Sequence, residues 1–283
     1  MNFNEKLEIL IKAALKEDIG DGDRSTLSCI SGDAKGKALL KIKEDGILAG
    51  VSIAEKIFTM QEPSAKFILY KLDGDLMKSG EMAFEVEASV QTILQSERLV
   101  LNCMQRMSGI ATLTHQYVKK IEGYKTRILD TRKTTPNFRI LEKEAVRIGG
   151  GMNHRFGLYD MIMLKDNHID YCGGIEKAIA KANAYVQAEE LDLKIEIETR
   201  SIDDVKRVMR AEKIDRIMLD NFSPLQIEEA LTIINGKYET EASGGINLDN
   251  IIDYAKTGVD FISIGGLIHQ ARSLDLSLKA VIR

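Results

Sequence analysis

The chain has 283 residues and a net charge of −4, with hydrophobic residues at 44% and charged residues at 29%. This balance is typical of a globular protein with a buried core, and the acidic total argues against general nucleic-acid binding. Because no apolar run approaches the roughly 18 residues that a membrane span needs, we expect no membrane-spanning segment.

The amino-terminal residues and the cysteines indicate a reducing compartment. Residues 1–19 alternate charged and apolar positions and lack the apolar stretch and cleavage site of a signal peptide. The cysteines are far apart in the sequence and form no CxxC pair; they are Cys29, Cys103 and Cys172. We therefore expect a cytoplasmic protein with free thiols.

The first part of the chain is predicted to be an α+β sandwich domain, over residues 1–112. Apolar residues at helical spacing predict helices at residues 3–16 and 53–60. Alternating positions predict strands at residues 37–43, 66–72 and 82–88. One long helix is predicted from Ser89 to about Ile121, with a break at Gly109.

From residue 127 onward, short apolar strands alternate with helical stretches. The strands are predicted at residues 127–129, 161–164, 194–197, 216–219, 238–242 and 261–264. Such alternation predicts parallel βαβ units, and polar residues at the strand ends favour a TIM-like α/β barrel. A doubly wound sheet is the alternative, but no GxGxxG motif opens a helix. We predict a barrel catalytic domain over residues 113–270 and a carboxyl-terminal segment, 271–283, that packs back on the first domain.

The stretch from Arg127 to His168 is locally positive in an acidic protein, with eight Lys or Arg against five acids. This distribution indicates a focused anion site. Arg132 and Lys133 follow a strand, and Thr135 and Pro136 are predicted to be the N-cap and first turn of the next helix. Two adjacent cations there suit a carboxylate or a phosphate, and a solvated basic loop is the alternative.

Three further cations come next in the chain. The glycine run 149–151 precedes His154 and Arg155 and would let the backbone approach a ligand or act as a hinge. A mobile loop with a structural histidine is the alternative. Lys165 ends a strand and is either an anion clamp or a Schiff-base nucleophile, whereas His168 is expected to be structural.

Two acidic residues at neighbouring strand ends are candidates for a metal site. The period of two places Glu196 and Glu198 on one face of a strand, which we expect to point into the barrel. A buried glutamate needs a cation, so Glu198 and Asp220 are either Mg²⁺ ligands or partners of the lysines.

Glycines end the last two strands, in Ser243-Gly244-Gly245 and in Gly265-Gly266. Exposed backbone N–H groups there would suit a phosphate at the position where barrels often bind one. Tight βα turns are the alternative.

Seven segments, read in order, resemble the quinolinate phosphoribosyltransferase family, also called nicotinate-nucleotide pyrophosphorylase (carboxylating). They are ALKEDIG at 14–20, SERLVLN at 96–102, QRMSGIAT at 105–112, DTRKTTP at 130–136, LEKEAVRIGGGMNHR at 141–155, GLYD at 157–160 and LKDNHI at 164–169. The resemblance runs over nearly the whole chain.

This resemblance implies transfer of phosphoribose from phosphoribosyl pyrophosphate to quinolinate with Mg²⁺, giving nicotinate mononucleotide, pyrophosphate and CO₂. It implies that the quinolinate carboxylates are held by Arg132, His154, Arg155 and Lys165. Lys133 would lie near the pyrophosphate, Glu198 and Asp220 near the ribose and metal, and Ser243, Gly244 and Gly265 around the 5-phosphate. The implied catalytic set is Lys133, Lys165, Glu198 and Asp220.

The resemblance also implies a homodimer or higher homo-oligomer in which Arg98 of one subunit completes the site of its partner. Two other functions remain open from the residues themselves. One is a barrel aldolase that uses Lys165 as a Schiff base, and the other is a non-catalytic anion-binding relative.

Overall fold

The computed structural model describes residues 2–211 and 213–281, which fall into two compact units. The first unit runs up to His115 and also contains Thr134–Gly150 and the chain from Leu267 onward. The second unit comprises Gln116–Lys133 and Gly151–Gly266. Among the described residues, no helix combines the length and apolar character that crossing a membrane requires.

In chain order, the helices are α1 (Phe3–Ile19), α2 (Arg24–Cys29), α3 (Val51–Gln61), α4 (Val90–Lys120), α5 (Arg139–Ile148), α6 (Asp166–Cys172), α7 (Ile175–Ala188), α8 (Ile202–Ala211), α9 (Pro224–Ile234), α10 (Ile251–Lys256) and α11 (Gly266–His269). The strands are β1 (Lys35–Ile42), β2 (Gly46–Ile47), β3 (Lys66–Leu69), β4 (Leu76–Met77), β5 (Met82–Ser89), β6 (Arg127–Leu129), β7 (Ile162–Leu164), β8 (Ile195–Thr199), β9 (Arg216–Asp220), β10 (Glu239–Ser243), β11 (Phe261–Ser263) and β12 (Leu276–Ala280).

The first unit is built on an antiparallel four-stranded sheet in the order β12-β1-β5-β3. Alternate residues of β1 and β5 are buried, as the period of two requires, and Leu40 and Phe84 are fully buried. The Phe84 ring contacts Phe67 at 4.9 Å between centroids, and Phe67 contacts Phe58 of α3 at 5.6 Å. The predicted α+β character of this part is confirmed. The strand expected at 66–72 ends at Leu69.

Helix α4 passes through Gly109 without interruption, so the predicted break there is wrong. A Cβ at residue 109 would collide with the carbonyl oxygen of Arg272. The glycine is therefore needed because the 271–275 backbone passes directly against the helix, ahead of β12. Gly149 has the same role, since a Cβ there would collide with the carbonyl oxygen of Ala111.

The turn before α5 also differs from the expectation. The helix begins at Arg139 with Phe138 as its N-cap, so the prediction of Thr135 as N-cap and Pro136 in the first turn is wrong. Asn137 has φ +61°, a left-handed conformation that asparagine tolerates. A residue in this conformation cannot be part of a regular α-helix, so α5 begins after it. The turn is held by Glu142 of α5, which accepts from the backbone N–H of Thr135 at 2.7 Å.

The second unit contains a six-stranded parallel sheet in the order β6-β11-β10-β9-β8-β7. All six predicted strands are confirmed, and helices lie between them in the chain. From β7 to β11 consecutive strands are neighbours, and the first strand of the set, β6, pairs with the last, β11, so that β6 and β7 stand at the two ends of the order. Pairing of first and last strands is the arrangement of a barrel, and a doubly wound sheet instead reverses its order in the middle. The carboxyl ends of all six strands therefore meet at one rim.

Candidate active site

The strand β6 is followed by the loop that carries Arg132 and Lys133, in the second unit. Asp130 follows the strand, is fully buried, and accepts from the backbone N–H of His154 at 2.8 Å. Thr131 accepts from the backbone N–H of Lys133 at 3.1 Å and shapes the loop. Arg132 is half-buried and the Lys133 side chain is exposed at this rim.

Arg132 and Arg155 are close enough to repel each other. Burial lowers the pKa of Arg155, and the positive charge of Arg132 lowers it further, while Glu196 and Asp160 act in the opposite direction. The Arg155 guanidinium also donates from Nη1 to the carbonyl oxygen of Met161 at 3.3 Å. Two guanidiniums held near each other create a field that a bound dianion would relieve.

Beneath this pair, four charged side chains form a buried network: His154, Glu196, Glu241 and Arg216. The Nε2 atom of His154 lies 3.0 Å from Glu196 and 3.4 Å from Glu241. Arg216 donates from Nη1 to Glu241 at 3.1 Å and lies over the ring of Phe261, with its Cζ atom 4.2 Å from the ring centroid. Glu196 thus points inward and has a cationic partner, as expected for a buried glutamate.

Two influences on the protonation of His154 oppose each other. Burial lowers the pKa of His154, but the hydrogen bonds and charges of Glu196 and Glu241 outweigh burial and raise it to about 9. The backbone N–H of Arg155 donates to Nδ1 at 2.7 Å, which requires an unprotonated Nδ1. Burial and the charge of Glu241 also raise the pKa of Glu196 to about 7, so His154 and Glu196 titrate together at Nε2, and Nδ1 remains the acceptor of the Arg155 N–H.

The same three residues have the spacing of a metal site, since their ligand atoms all lie within 4.8 Å of one another. Arg216 argues against that use. Its Nη1 atom and His154 Nε2 face the same oxygen of Glu241, Oε2, so a guanidinium already supplies the positive charge that a metal would bring. The group is better described as an ion-pair network.

Lys165, Glu198 and Asp220 form a second charged group at the rim. The Nζ atom of Lys165 lies 3.6 Å from Glu198. Burial raises the pKa of Glu198; the negative charges of Asp220 and Asp166 raise it further, and Lys165 counteracts this. The Lys165 side chain is 49% exposed, which does not suit a desolvated Schiff-base lysine. His168 accepts from the Lys165 backbone N–H at 3.0 Å, a structural role.

The two glycine-rich strand ends have different constraints. Gly244 has φ +95°, and a Cβ there would collide with the side chain of Asn221. Asn221 donates its backbone N–H to the carbonyl oxygen of Ser243 at 2.8 Å, so the ends of β9 and β10 are tied together. Gly265 lies directly before the four-residue helix α11.

Ten of the eleven candidate residues lie in the second unit, at or near the carboxyl ends of its strands: Arg132, Lys133, His154, Arg155, Lys165, Glu198, Asp220, Ser243, Gly244 and Gly265. Arg98 lies exposed on α4 in the first unit. Sequence reasoning missed Glu241 and Arg216. The alternation that pointed Glu196 inward also applies to Glu-Thr-Glu in β10 and would have identified Glu241.

Comparison with known proteins agrees with this arrangement. The model of the quinolinate phosphoribosyl transferase C-terminal domain matches residues 110–279, and that of the N-terminal domain matches residues 23–108. The chain is 43% identical over 288 residues to the chloroplastic nicotinate-nucleotide pyrophosphorylase [carboxylating] of Oryza sativa, covering 96% of this chain and 77% of the relative.

Solved structures show the same likeness. The structure of NadC from Streptococcus pyogenes has a TM-score of 0.90 and 40% identity, covering 98% of this chain and 97% of that one. The nicotinate-nucleotide pyrophosphorylase from Francisella tularensis has a TM-score of 0.90 and 38% identity, covering 98% of this chain and 97% of that one. The chain therefore belongs to the quinolinate phosphoribosyltransferase family.

Proposed function

We propose that this protein transfers phosphoribose from phosphoribosyl pyrophosphate to quinolinate and releases CO₂, giving nicotinate mononucleotide and pyrophosphate for NAD biosynthesis. The observation that carries the proposal is the gathering of Arg132, Arg155 and Lys165 around the carboxyl ends of β6 and β7 in one unit, where Arg132 and Arg155 repel each other. A pyridine dicarboxylate would relieve that repulsion, because each guanidinium can bind one carboxylate. The relatives that the chain matches are named for this reaction.

The cations account for substrate orientation. Arg132, Arg155, His154 and Lys165 hold the two carboxylates, so that the ring nitrogen meets the ribose carbon from which pyrophosphate leaves. Lys133 is exposed at the same rim and stabilises the departing pyrophosphate. Once the nitrogen bears the ribose it is positively charged, so the electron pair that the departing CO₂ leaves on the ring carbon is stabilised beside it until that carbon takes up a proton from water.

Glu198 and Asp220 fit a Mg²⁺ ion at this rim. Asp220 raises the pKa of Glu198, which means that the two carboxylates repel each other. A divalent cation bound between them would relieve that repulsion. Bound there, Mg²⁺ would neutralise the charge of the pyrophosphate. The two acids themselves would stabilise positive charge on the ribose in the transition state. Ser243, Gly244 and Gly265 would hold the 5-phosphate through backbone N–H groups and the serine hydroxyl.

The assay that tests this function uses the purified protein with quinolinate, phosphoribosyl pyrophosphate and Mg²⁺, and measures nicotinate mononucleotide. We expect product from quinolinate and none from nicotinate. Arg132→Ala should raise the KM for quinolinate by about 10- to 100-fold, since a hydrogen-bonded charge pair is worth about 1.5–3 kcal/mol. Arg207→Ala is the matched control, because Arg207 is a half-exposed arginine of α8 that pairs with Glu176 of α7, away from the strand ends.

Two other outcomes correspond to the alternative functions. Borohydride trapping of a substrate adduct on Lys165 would favour the aldolase. Binding of quinolinate without any product would favour the non-catalytic anion-binding relative. Unaltered kinetics in Arg132→Ala would contradict the assignment of this site.

A shared site in a homodimer is part of the proposal, with Arg98 reaching the partner's quinolinate. It is supported by the exposure of Arg98 on α4. At quinolinate concentrations well below the raised KM, Arg98→Ala and Arg132→Ala should each show little activity, and mixing them should restore about a quarter of native activity, because hybrid dimers contain one intact site. A fully active monomer would contradict this. The free cysteines fit a reducing compartment, and we place the protein in the cytoplasm on that basis.

A further inference from the structure

Asn221, directly after β9, is an exposed residue in a left-handed conformation, with φ +58°. Glycine meets such a φ without steric cost, so a left-handed turn alone does not call for an asparagine. The helix that follows does not need the Asn221 side chain either, because Ser223 caps α9 and accepts from the backbone N–H of Gln226. The contacts of the Asn221 amide indicate another use.

One end of this amide holds Asp220. The Nδ2 atom of Asn221 donates to Oδ2 of Asp220 at 2.6 Å, which is a charge-assisted hydrogen bond. Only the NH₂ end of an amide can donate to a carboxylate, so this contact fixes the orientation of the amide. With Oδ2 engaged, Oδ1 is the oxygen of Asp220 left for a ligand. The carboxylate that we assign to the ribose and Mg²⁺ is thus held by its neighbour in the chain.

The rest of Asn221 contacts the segment that we assign to the 5-phosphate. Its backbone N–H donates to the carbonyl oxygen of Ser243 at 2.8 Å, and the register of β9 with β10 places Ser243 beside Asp220. Its Oδ1 atom lies against Gly244, where a Cβ would collide with it. One side chain therefore spans from the acid at the end of β9 to the glycine that follows β10.

Phosphoribosyl pyrophosphate needs these two groups at one fixed spacing. It carries its 5-phosphate and its pyrophosphate on different carbons of a single ribose, so the site for one cannot shift relative to the site for the other without losing contacts. A displacement of about 1 Å at a positioning contact can lower a rate about 100-fold. A hydrogen bond that fixes Asp220 relative to Ser243 and Gly244 therefore affects how well the whole molecule fits.

We propose that Asn221 is a positioning residue for phosphoribosyl pyrophosphate: its amide fixes the Asp220 carboxylate against the Ser243-Gly244 backbone, so that one substrate molecule meets the ribose site and the 5-phosphate site in register. The inference rests on the proposed function and deepens it, because it adds to that site a residue that acts through Asp220. It concerns the phosphoribosyl donor, so binding on the quinolinate side should be unaffected.

Asn221→Gly removes the amide and keeps the backbone, because glycine accepts φ +58° and retains the N–H that donates to Ser243. Binding is measured by calorimetry with Mg²⁺ and phthalate, which has the two adjacent carboxylates of quinolinate but no ring nitrogen, so that no turnover occurs. We expect the Kd for phosphoribosyl pyrophosphate to rise about tenfold, the equivalent of one charge-assisted contact, and the Kd for phthalate to change less than about twofold.

A double-mutant cycle tests whether Asn221 acts through Asp220. In an Asp220→Ala background, Asn221→Gly should change the Kd for phosphoribosyl pyrophosphate less than about twofold, because the carboxylate that the amide holds is already gone. Equal effects of Asn221→Gly in the native and Asp220→Ala backgrounds, or on phthalate and phosphoribosyl pyrophosphate, would mean a merely structural role and would overturn the proposal.

Asn235→Gly is the matched control. Asn235 is also an exposed asparagine with a positive φ, +48°, but it is the C-cap of α9 and precedes β10, away from the carboxyl ends of the strands. Its substitution should leave both Kd values within about twofold of native. Native-like binding of phosphoribosyl pyrophosphate by Asn221→Gly would overturn this inference alone, whereas a native protein that forms no nicotinate mononucleotide from quinolinate would refute the proposed function.

Discussion

Removing the buried carboxylate of Glu142 should destabilise the first unit far more than removing an exposed one from the same helix. Glu142 is fully buried on α5, and its Oε1 atom accepts from Arg106 Nε at 3.0 Å, Arg106 Nη2 at 2.9 Å and the Thr135 hydroxyl at 2.9 Å. Its other oxygen accepts from the Thr135 backbone at 2.7 Å. In Glu142→Ala, the Arg106 side chain, 23% exposed, loses its counter-ion. Breaking such a pair costs about 3–5 kcal/mol.

Arg106 keeps two acceptors in that variant, the carbonyl oxygens of Ile268 at 2.8 Å and Ala271 at 2.6 Å. We therefore expect the free energy of unfolding to fall by about 3 kcal/mol, the lower end of that range. The assay is urea unfolding followed by circular dichroism. Glu144→Ala is the control, because Glu144 pairs with an Arg147 side chain that is 64% exposed. This substitution should lower the free energy of unfolding by less than about 1 kcal/mol. Equal losses in the two variants would refute the reasoning.

Three further outcomes are expected. Gly109→Ala should lower the free energy of unfolding by about 3 kcal/mol, because the Arg272 carbonyl cannot move aside, whereas Gly32→Ala, with 3.9 Å to its nearest neighbour, should cost little in urea unfolding. The pKa of His154 is raised to about 9 from 6.5, so the protonated ring contributes its full stabilisation below pH 6.5 and loses it as the pH rises through 9. The difference in the free energy of unfolding between native and His154→Gln protein should therefore shrink by about 3 kcal/mol over that range. A constant difference would contradict this expectation. Chelation of Mg²⁺ should abolish turnover and added Mg²⁺ restore it, while Glu198→Gln should raise the Mg²⁺ concentration needed for half-maximal rate about tenfold.

Much of the barrel could be predicted from the sequence because its signals are local. Each strand is a short apolar run followed by polar residues, and that pattern needs no knowledge of distant contacts. The rim cations followed from the same logic, since Arg132 and Lys165 end strands and parallel strands end at one rim.

The errors came from contacts between residues far apart in the chain. Gly109 was predicted to break α4, but the helix is continuous there. A glycine is needed at this position because the Arg272 backbone, more than 100 residues later in the chain, passes against the helix. The start of α5 depends on Glu142, which holds the preceding turn and which a cap signal at Thr135 cannot anticipate. Sequence periodicity suggests which way a strand side chain points, but not that Glu241 and Arg216 share one buried network.

The most direct test of the central claim follows the carboxyl carbon that the reaction should release. Quinolinate labelled with ¹⁴C in its 2-carboxyl group is incubated with the native protein and Mg²⁺, with or without phosphoribosyl pyrophosphate. We expect labelled CO₂, pyrophosphate and nicotinate mononucleotide in equal amounts when phosphoribosyl pyrophosphate is present, and none when it is left out. Labelled CO₂ without the pyrophosphate donor, or no labelled CO₂ with it, would contradict the proposed reaction.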